Sequence, residues 1–189
     1  MKINTYYSAD NVIQARGLIV VIDVFRAFST ACFLINNKAK DVIVIKDLDL
    51  AFKFKKDHSK FILVGERKGL PPKGFNYGNS PAEIKNVDFS GKTIILTTSL
   101  GTKGIINAKN SEKIITGSFV NADAIVEYIK KVKPKELSLV CTDESDRKNE
   151  DVMLAKYIQA RLEGEKLNFK KIVKHLENHP CADGFIKNP

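Results

Sequence analysis

Leu18-Ile19-Val20-Val21-Ile22-Asp23-Val24-Phe25-Arg26-Ala27-Phe28-Ser29-Thr30 is the stretch that decides the fold. Five consecutive branched apolar residues suit a strand covered on both faces, since a strand with one wet face alternates apolar and polar side chains. The run then meets Asp23, passes Arg26 and gives way to a mostly apolar, helix-length stretch that continues to Asn36. Strand, polar turn and helix make half of a βαβ unit, and such units build parallel sheets.

The same alternation extends outward in both directions. Strands are expected near Lys2 to Tyr7, Leu18 to Val24, Asp41 to Ile45, Phe61 to Val64, Thr93 to Leu96, Lys113 to Thr116 and Leu137 to Cys141. Helices are expected at Ala27 to Asn36, Leu48 to Lys56, Pro81 to Lys85, Thr102 to Ala108, Ala122 to Lys133, Glu150 to Glu163 and Phe169 to Leu176, with the chain breaking up at Pro180, Gly184 and Pro189. The pattern predicts an α/β protein, a three-layer α/β/α sandwich on a largely parallel or mixed sheet, with residues 1–189 as one domain. No repeat or Ser/Gly linker marks a boundary.

Composition narrows the function classes. The 189 residues are 43% hydrophobic and 28% charged, ordinary globular values that exclude disordered and low-complexity classes. The longest apolar run is far short of the roughly 20 residues that span a bilayer, and the N-terminus lacks a signal-peptide core, so a soluble cytoplasmic protein without a membrane partner is expected. Cys32, Cys141 and Cys181 are odd in number and scattered, which argues for reduced thiols. The net charge of +9 suits anionic partners, but the lysines lie at scattered helix ends with no aromatic platform, which ranks nucleic acid last.

Some turns read as structure. Ser80-Pro81-Ala82-Glu83 has the form of a capping box with Pro at the first helical position, and Asn121 is a good N-cap before Ala122. His175 and His179, four apart on a helix, would need a third ligand to hold a metal.

In open α/β sheets the ligand crevice lies beyond the carboxyl ends of the strands. The residues there are Asp23 and Arg26, Gly65-Glu66-Arg67, Thr97-Thr98-Ser99 with Gly101-Thr102, Gly117-Ser118, and Thr142-Asp143-Glu144, with Glu150-Asp151 opening the next helix. Carboxylates, guanidinium groups and a hydroxyl/glycine loop together suit a phosphate ester with a divalent cation on the carboxylates. Each also has a plainer use. Asp23 and Arg26 are spaced for a helix-start ion pair, the threonines for capping a helix, and Glu150 and Asp151 for opposing a helix dipole. No GxGxxG, Walker loop, GxSxG or DxDxT motif is present.

Taken in order, Val21 to Thr30, Gly65-Glu66-Arg67, Gly74-Phe75-Asn76-Tyr77-Gly78-Asn79-Ser80-Pro81, Leu96 to Thr102, Gly117 to Ala122 and Glu150-Asp151 resemble the 2-phosphosulfolactate phosphatase family over roughly Met1 to Leu162. The resemblance implies a Mg²⁺-dependent phosphatase acting on a small phosphorylated anionic substrate, a sulfonated 2-hydroxy acid; in methanogens that reaction lies on the route to coenzyme M. It implies a catalytic set of Asp23, Arg26, Glu66, Arg67 and Glu150. The metal would sit on Asp23, Glu66 and one of Glu150 or Asp151, and the substrate on Asn79, Thr97, Thr98, Ser99, Gly101, Thr102, Lys103, Ser118 and Asn121. The alternative route has Asp23 attack phosphorus itself, and a homo-oligomer is admitted. The family's Arg after the hydroxyl loop is Lys103 here, its Asn-Gly is Leu100-Gly101, Asp143 adds an acid, and the family usually continues past Pro189. The alternative class is a non-catalytic binder of a small anion or nucleotide.

Overall fold

The computed structural model describes residues 1–186. Seven strands alternate with eight helices: β1 (Lys2–Tyr7), β2 (Gly17–Ile22), α1 (Ala27–Asn36), β3 (Asp41–Val44), α2 (Leu48–Asp57), β4 (Ile62–Gly65), α3 (Pro81–Ile84), β5 (Thr93–Thr97), α4 (Gly101–Asn107), β6 (Ser111–Gly117), α5 (Ala122–Val132), β7 (Glu136–Cys141), α6 (Glu150–Glu163), α7 (Phe169–Glu177) and α8 (Pro180–Ile186). Every expected strand and helix is present to within about two residues at each end. The tail differs. Pro180 does not end structure but opens α8, because proline's fixed φ and missing N–H suit the first helical turn. Pro189 lies outside the described residues.

The fold is α/β and every strand pairing is parallel, as the βαβ pattern predicts. The strands lie in two sheets, of order β1-β7-β2-β6 and β3-β5-β4. Correspondingly the chain divides into two compact units, the first of residues 1–25 and 104–189, the second of residues 26–103.

In the first unit β2 and β7 are central. All six residues of β2 are buried, which accounts for its unbroken apolar run. Leu18, Val20 and Ile22 join Leu137, Leu139 and Cys141 on one face, where Ile125, Val126 and Ile129 of α5 and Val152, Leu154, Ala155 and Ile158 of α6 cover them. The other face carries Ile19 and Val21. There α4 approaches so closely that a Cβ on Gly104 would lie 2.7 Å from Val21 Cγ1.

The second unit is a small three-layer sandwich by itself. Ile94, Leu96 and Val64 face Leu34 of α1 and Ile84 of α3, while Ile95 and Leu63 face Ala51 of α2. Adjacent residues of one strand thus point to opposite layers, the period-two geometry of a covered parallel sheet. Gly65 closes β4 with φ +152°, and a Cβ there would fall 1.9 Å from the Thr97 carbonyl oxygen. Only glycine permits that approach, and it lets the Glu66 amide donate to the same carbonyl at 3.0 Å.

Candidate functional site

In the first unit the polar residues gather at the carboxyl ends of β2 and β7 and the start of α6. Asn149 caps α6, its Oδ1 accepting from the Val152 amide at 3.1 Å. Asp151, 2% exposed, is saturated with donors. Its Oδ1 accepts from the Val24 amide at 2.9 Å, and its Oδ2 from the Thr142 amide at 3.0 Å, the Thr142 hydroxyl at 3.2 Å and the Asp143 amide at 3.3 Å. One carboxylate therefore ties together the ends of both central strands and presents the residue before Val24, Asp23, at the rim of β2.

Glu150 is the opposite case. It is 6% exposed, yet its Oε2 has no hydrogen-bond partner. Burial pushes its acidity weaker than an ordinary glutamate, against the opposing pull of nearby donors, among them the Cys181 thiol. Burial also raises Asp151, and the charges of Asp23 and Glu150 add to the rise, so the three carboxylates share one neighbourhood. Glu150 faces a cleft of about 390 Å³, lined also by Phe25, Asp143, Asp146, His179 and Cys181. Burial and the Glu150 carboxylate push the Cys181 thiol up to about 12.

In the second unit the charged and hydroxyl groups at the ends of β4 and β5 are matched to one another. Glu66 Oε1 accepts from the Ser99 amide at 2.7 Å and Oε2 from the Gly69 amide at 2.9 Å. Arg67 donates to the Glu66 carbonyl at 2.7 Å, to Thr97 Oγ1 at 2.7 Å and to the Lys46 carbonyl. Thr98 and Thr102 serve each other: the Thr98 amide donates to Thr102 Oγ1 at 3.0 Å and the Thr102 amide to Thr98 Oγ1 at 3.1 Å. This is the capping use of hydroxyls, with Gly101 opening α4 and Lys103 in its first turn. Arg26 lies within Coulombic reach of Glu66 and Glu83; its own desolvation outweighs both and lowers its pKa. Asn79 is 6% exposed with Oδ1 unpartnered, and Thr30 of α1 is wholly buried with its Oγ1 likewise unpartnered.

Several expected details come out differently. Ser80 makes no capping bond to α3, and Glu83 reaches past it to accept from the Gly78 amide at 2.8 Å. Asn121 does not cap α5; its Oδ1 accepts from the Ser118 amide at 2.9 Å and its amide donates to the Thr116 carbonyl, while Ser118 Oγ accepts from the Val120 amide. The pair closes a single 3-10 turn at Phe119–Asn121. Asp143 holds its own loop, accepting from the amide and hydroxyl of Ser145. Of the four proposed metal carboxylates, Asp23, Glu150 and Asp151 belong to the first unit and Glu66 to the second. Sequence reading missed Asn149 and Thr30 and set aside His179 and Cys181; Asn149, three residues before Val152, carries a legible N-cap signature.

A family model described as 2-phosphosulpholactate phosphatase matches residues 5–179. The chain belongs to that family. A Thermotoga maritima protein named "Probable 2-phosphosulfolactate phosphatase" is 44% identical over 144 residues, 76% of this chain and 61% of its own length. A Clostridium tetani protein of the same name is 31% identical over 195 residues, 99% of this chain and 84% of its own length. The chain thus spans about three fifths of the length of the Thermotoga relative. The 2-phosphosulfolactate phosphatase match takes in every candidate residue from Asp23 to Asp151.

Among the described residues no three His, Cys, Asp or Glu side chains are grouped to hold a metal ion, and no helix is long and apolar enough to cross a membrane. Magnesium does not require three. It keeps several waters and binds through one or two carboxylates, and hard oxygen donors are what Asp23 and Glu150 offer. A buried carboxylate oxygen without a donor fits such an ion.

Proposed function

We propose that this protein hydrolyses the phosphate monoester of a small 2-hydroxy acid, 2-phosphosulfolactate in the first instance, to sulfolactate and phosphate. The observation that carries the reading is the contrast at the start of α6, where Asp151 takes four donors and neighbouring Glu150 keeps a buried oxygen with none. In this reading Asp23 and Glu150 hold Mg²⁺. The ion, when bound, supplies charge for the phosphoryl oxygens and an acidified water.

The chain's own residues then divide the work. Asp151 fixes the Val24, Thr142 and Asp143 amides and thereby the backbone on which Asp23 stands. Arg26, in the second unit, is a half-buried guanidinium whose chemistry suits an anionic group. Arg67 is committed to three oxygens, so its part is to hold the Glu66 loop rather than to grip the substrate. In hydrolysis the water oxygen bonds to phosphorus, the ester P–O bond breaks, and the water proton ends on the departing alkoxide. Three free cysteines fit a reducing compartment, and we place the reaction in the cytoplasm.

The test is phosphate release from phosphosulfolactate and related phospho-acids, with Mg²⁺ and with chelator. Release that needs the ion and is lost in Glu150→Gln supports the reading. Binding of these acids without turnover would leave a binding protein instead, and a trapped phosphorylated Asp23 would replace water attack by an acyl-phosphate route.

A further inference from the structure

The cleft of about 390 Å³ beside Glu150 is lined by several groups able to ligate, and most of them are already engaged. Asp143 accepts from the amide and the hydroxyl of Ser145 at 2.8 and 2.7 Å. Asp146 Oδ1 accepts from the Lys148 amide at 2.8 Å. His179 Nδ1 accepts from the Cys181 amide at 3.3 Å, so the neutral ring carries its proton on Nε2, which donates to Asp146 Oδ2 at 3.1 Å. Both ring nitrogens are thereby occupied. What remains is Glu150 Oε2, buried and without a donor, and the Cys181 thiol on the same cleft.

The thiol stands on a fixed wall. Cys181 packs against the core cluster that contains Val152 and Ala155 of α6, and the next residue, Ala182, is itself buried. The Ala182 amide donates to the His179 carbonyl at 3.0 Å and closes the turn that carries the thiol. Thiol and Glu150 carboxylate lie within hydrogen-bonding reach of each other. That spacing also suits one shared ion, because bonds of about 2.3 Å to sulfur and about 2.1 Å to oxygen at a tetrahedral angle put the two donors about 3.6 Å apart. A carboxylate alone suits Mg²⁺; paired with sulfur it suits a softer ion.

We propose that Glu150 and Cys181 form a site for a thiophilic divalent cation, Zn²⁺ or Cd²⁺, bound through one carboxylate oxygen and one thiolate. Among the described residues no third His, Cys, Asp or Glu side chain joins them, so water completes the shell. As the metal–sulfur bond forms the S–H bond breaks, and its proton leaves to the buffer. The inference rests on the reading of Glu150 as the Mg²⁺ ligand only for its consequence, that the softer ion excludes Mg²⁺. Binding itself is measured without Mg²⁺ or substrate.

The probe is Cd²⁺ alone, titrated into the reduced protein and followed by the ultraviolet thiolate-to-cadmium charge-transfer band and by calorimetry. The wild type, Cys181→Ser, Glu150→Gln and Cys32→Ser are compared. A band saturating at one ion per chain is expected in the wild type and in Cys32→Ser. Cys181→Ser is expected to lose the band, and Glu150→Gln to keep it with affinity lower by roughly tenfold or more. A band of wild-type affinity in Cys181→Ser would overturn the site, and so would unchanged affinity in Glu150→Gln or a band that needs Cys32. Mn²⁺ added to the Cd²⁺-loaded wild type then scores the consequence: competition supports exclusion, and independent binding of both ions refutes it. Glu150→Gln that loses Cd²⁺ but keeps Mn²⁺ would strike the Mg²⁺ reading of Glu150 and leave the Cd²⁺ site standing.

Discussion

The polar ends of the two sheets are built on opposite principles. At the end of β4 and β5, Glu66, Arg67, Thr98 and Thr102 have their donors and acceptors matched within the unit. At the start of α6, Asp151 is matched four times over while Glu150, one residue away and almost as deeply buried, keeps an oxygen with no partner. A buried polar atom left unsatisfied costs about 1–3 kcal/mol. Matched groups therefore read as scaffold, and unmatched ones mark where an external ion or ligand belongs. Asn79 Oδ1 is the second unit's counterpart to Glu150 Oε2 and the best candidate there for direct ligand contact.

The sharpest way to break this contrast is to neutralise each acid of α6 in turn. Glu150→Gln keeps shape and removes charge. Its expected effect is a loss of turnover of about a thousandfold, equivalent to about 4 kcal/mol of transition-state stabilisation, with Mn²⁺ binding by titration calorimetry weakened in step. Its melting temperature is expected to hold or rise, since a buried carboxylate has gone. Asp151→Ala is expected to do the reverse first, taking the acceptor from the Val24 and Asp143 amides and the Thr142 hydroxyl, while the Thr142 amide keeps the Ile22 carbonyl. A stability loss of about 3 kcal/mol or more in urea is expected. Were Glu150→Gln the unstable variant and Asp151→Ala the stable one, the assignment of scaffold and working group would be inverted.

That inversion could not have been judged from sequence. Glu150 and Asp151 are adjacent acids at a helix start, and helix-dipole compensation explains both equally well. What separates them is which strand-end amides fold back onto which carboxylate, and Val24 is 127 positions away in the chain. The elements were far more legible, since each depends on a local period. Even centrality left a trace: β2 is continuously apolar, whereas the edge strand β6 reads Ser111-Glu112-Lys113 before its apolar half. The partition into two sheets left none, because strand order is set by non-local pairing. The cap misassignments have the same origin. Asn121 has the right residue type one position before α5, but the Ser118 amide competes for its oxygen and wins.

A smaller effect is expected in the second unit. Thr98 and Thr102 exchange amide-to-hydroxyl bonds across one turn, and their hydroxyls lie 3.2 Å apart. Either single change to valine strands one buried amide and also breaks the hydroxyl–hydroxyl contact, which the double change loses only once, so the double loss should fall short of the sum of the singles in a double-mutant cycle. A coupling of about 1–2 kcal/mol is expected from urea denaturation. Additive losses would show that the two bonds form independently. They would also free the hydroxyls for substrate and weaken the contrast between the units.

The smallest effect is at Asp146, whose Oδ2 accepts from His179 Nε2 at 3.1 Å. Its pKa is held below the ordinary aspartate value, first by the Lys148 amide, then by the His179 hydrogen bond and charge. A carboxyl whose folded pKa is depressed stabilises the fold above its unfolded pKa, and that contribution disappears as pH falls through the folded value. The Asp146→Asn variant should therefore denature at lower urea than wild type at neutral pH. The gap should shrink from about pH 4 downward, where the unfolded aspartate begins to protonate. Because the side chain is exposed, salt should shrink it too. A gap that persisted at acid pH would mean that shape, not charge, makes the contact. In that case packing of the His179 ring, rather than its attraction to the Asp146 carboxylate, would hold that wall of the cleft beside Glu150.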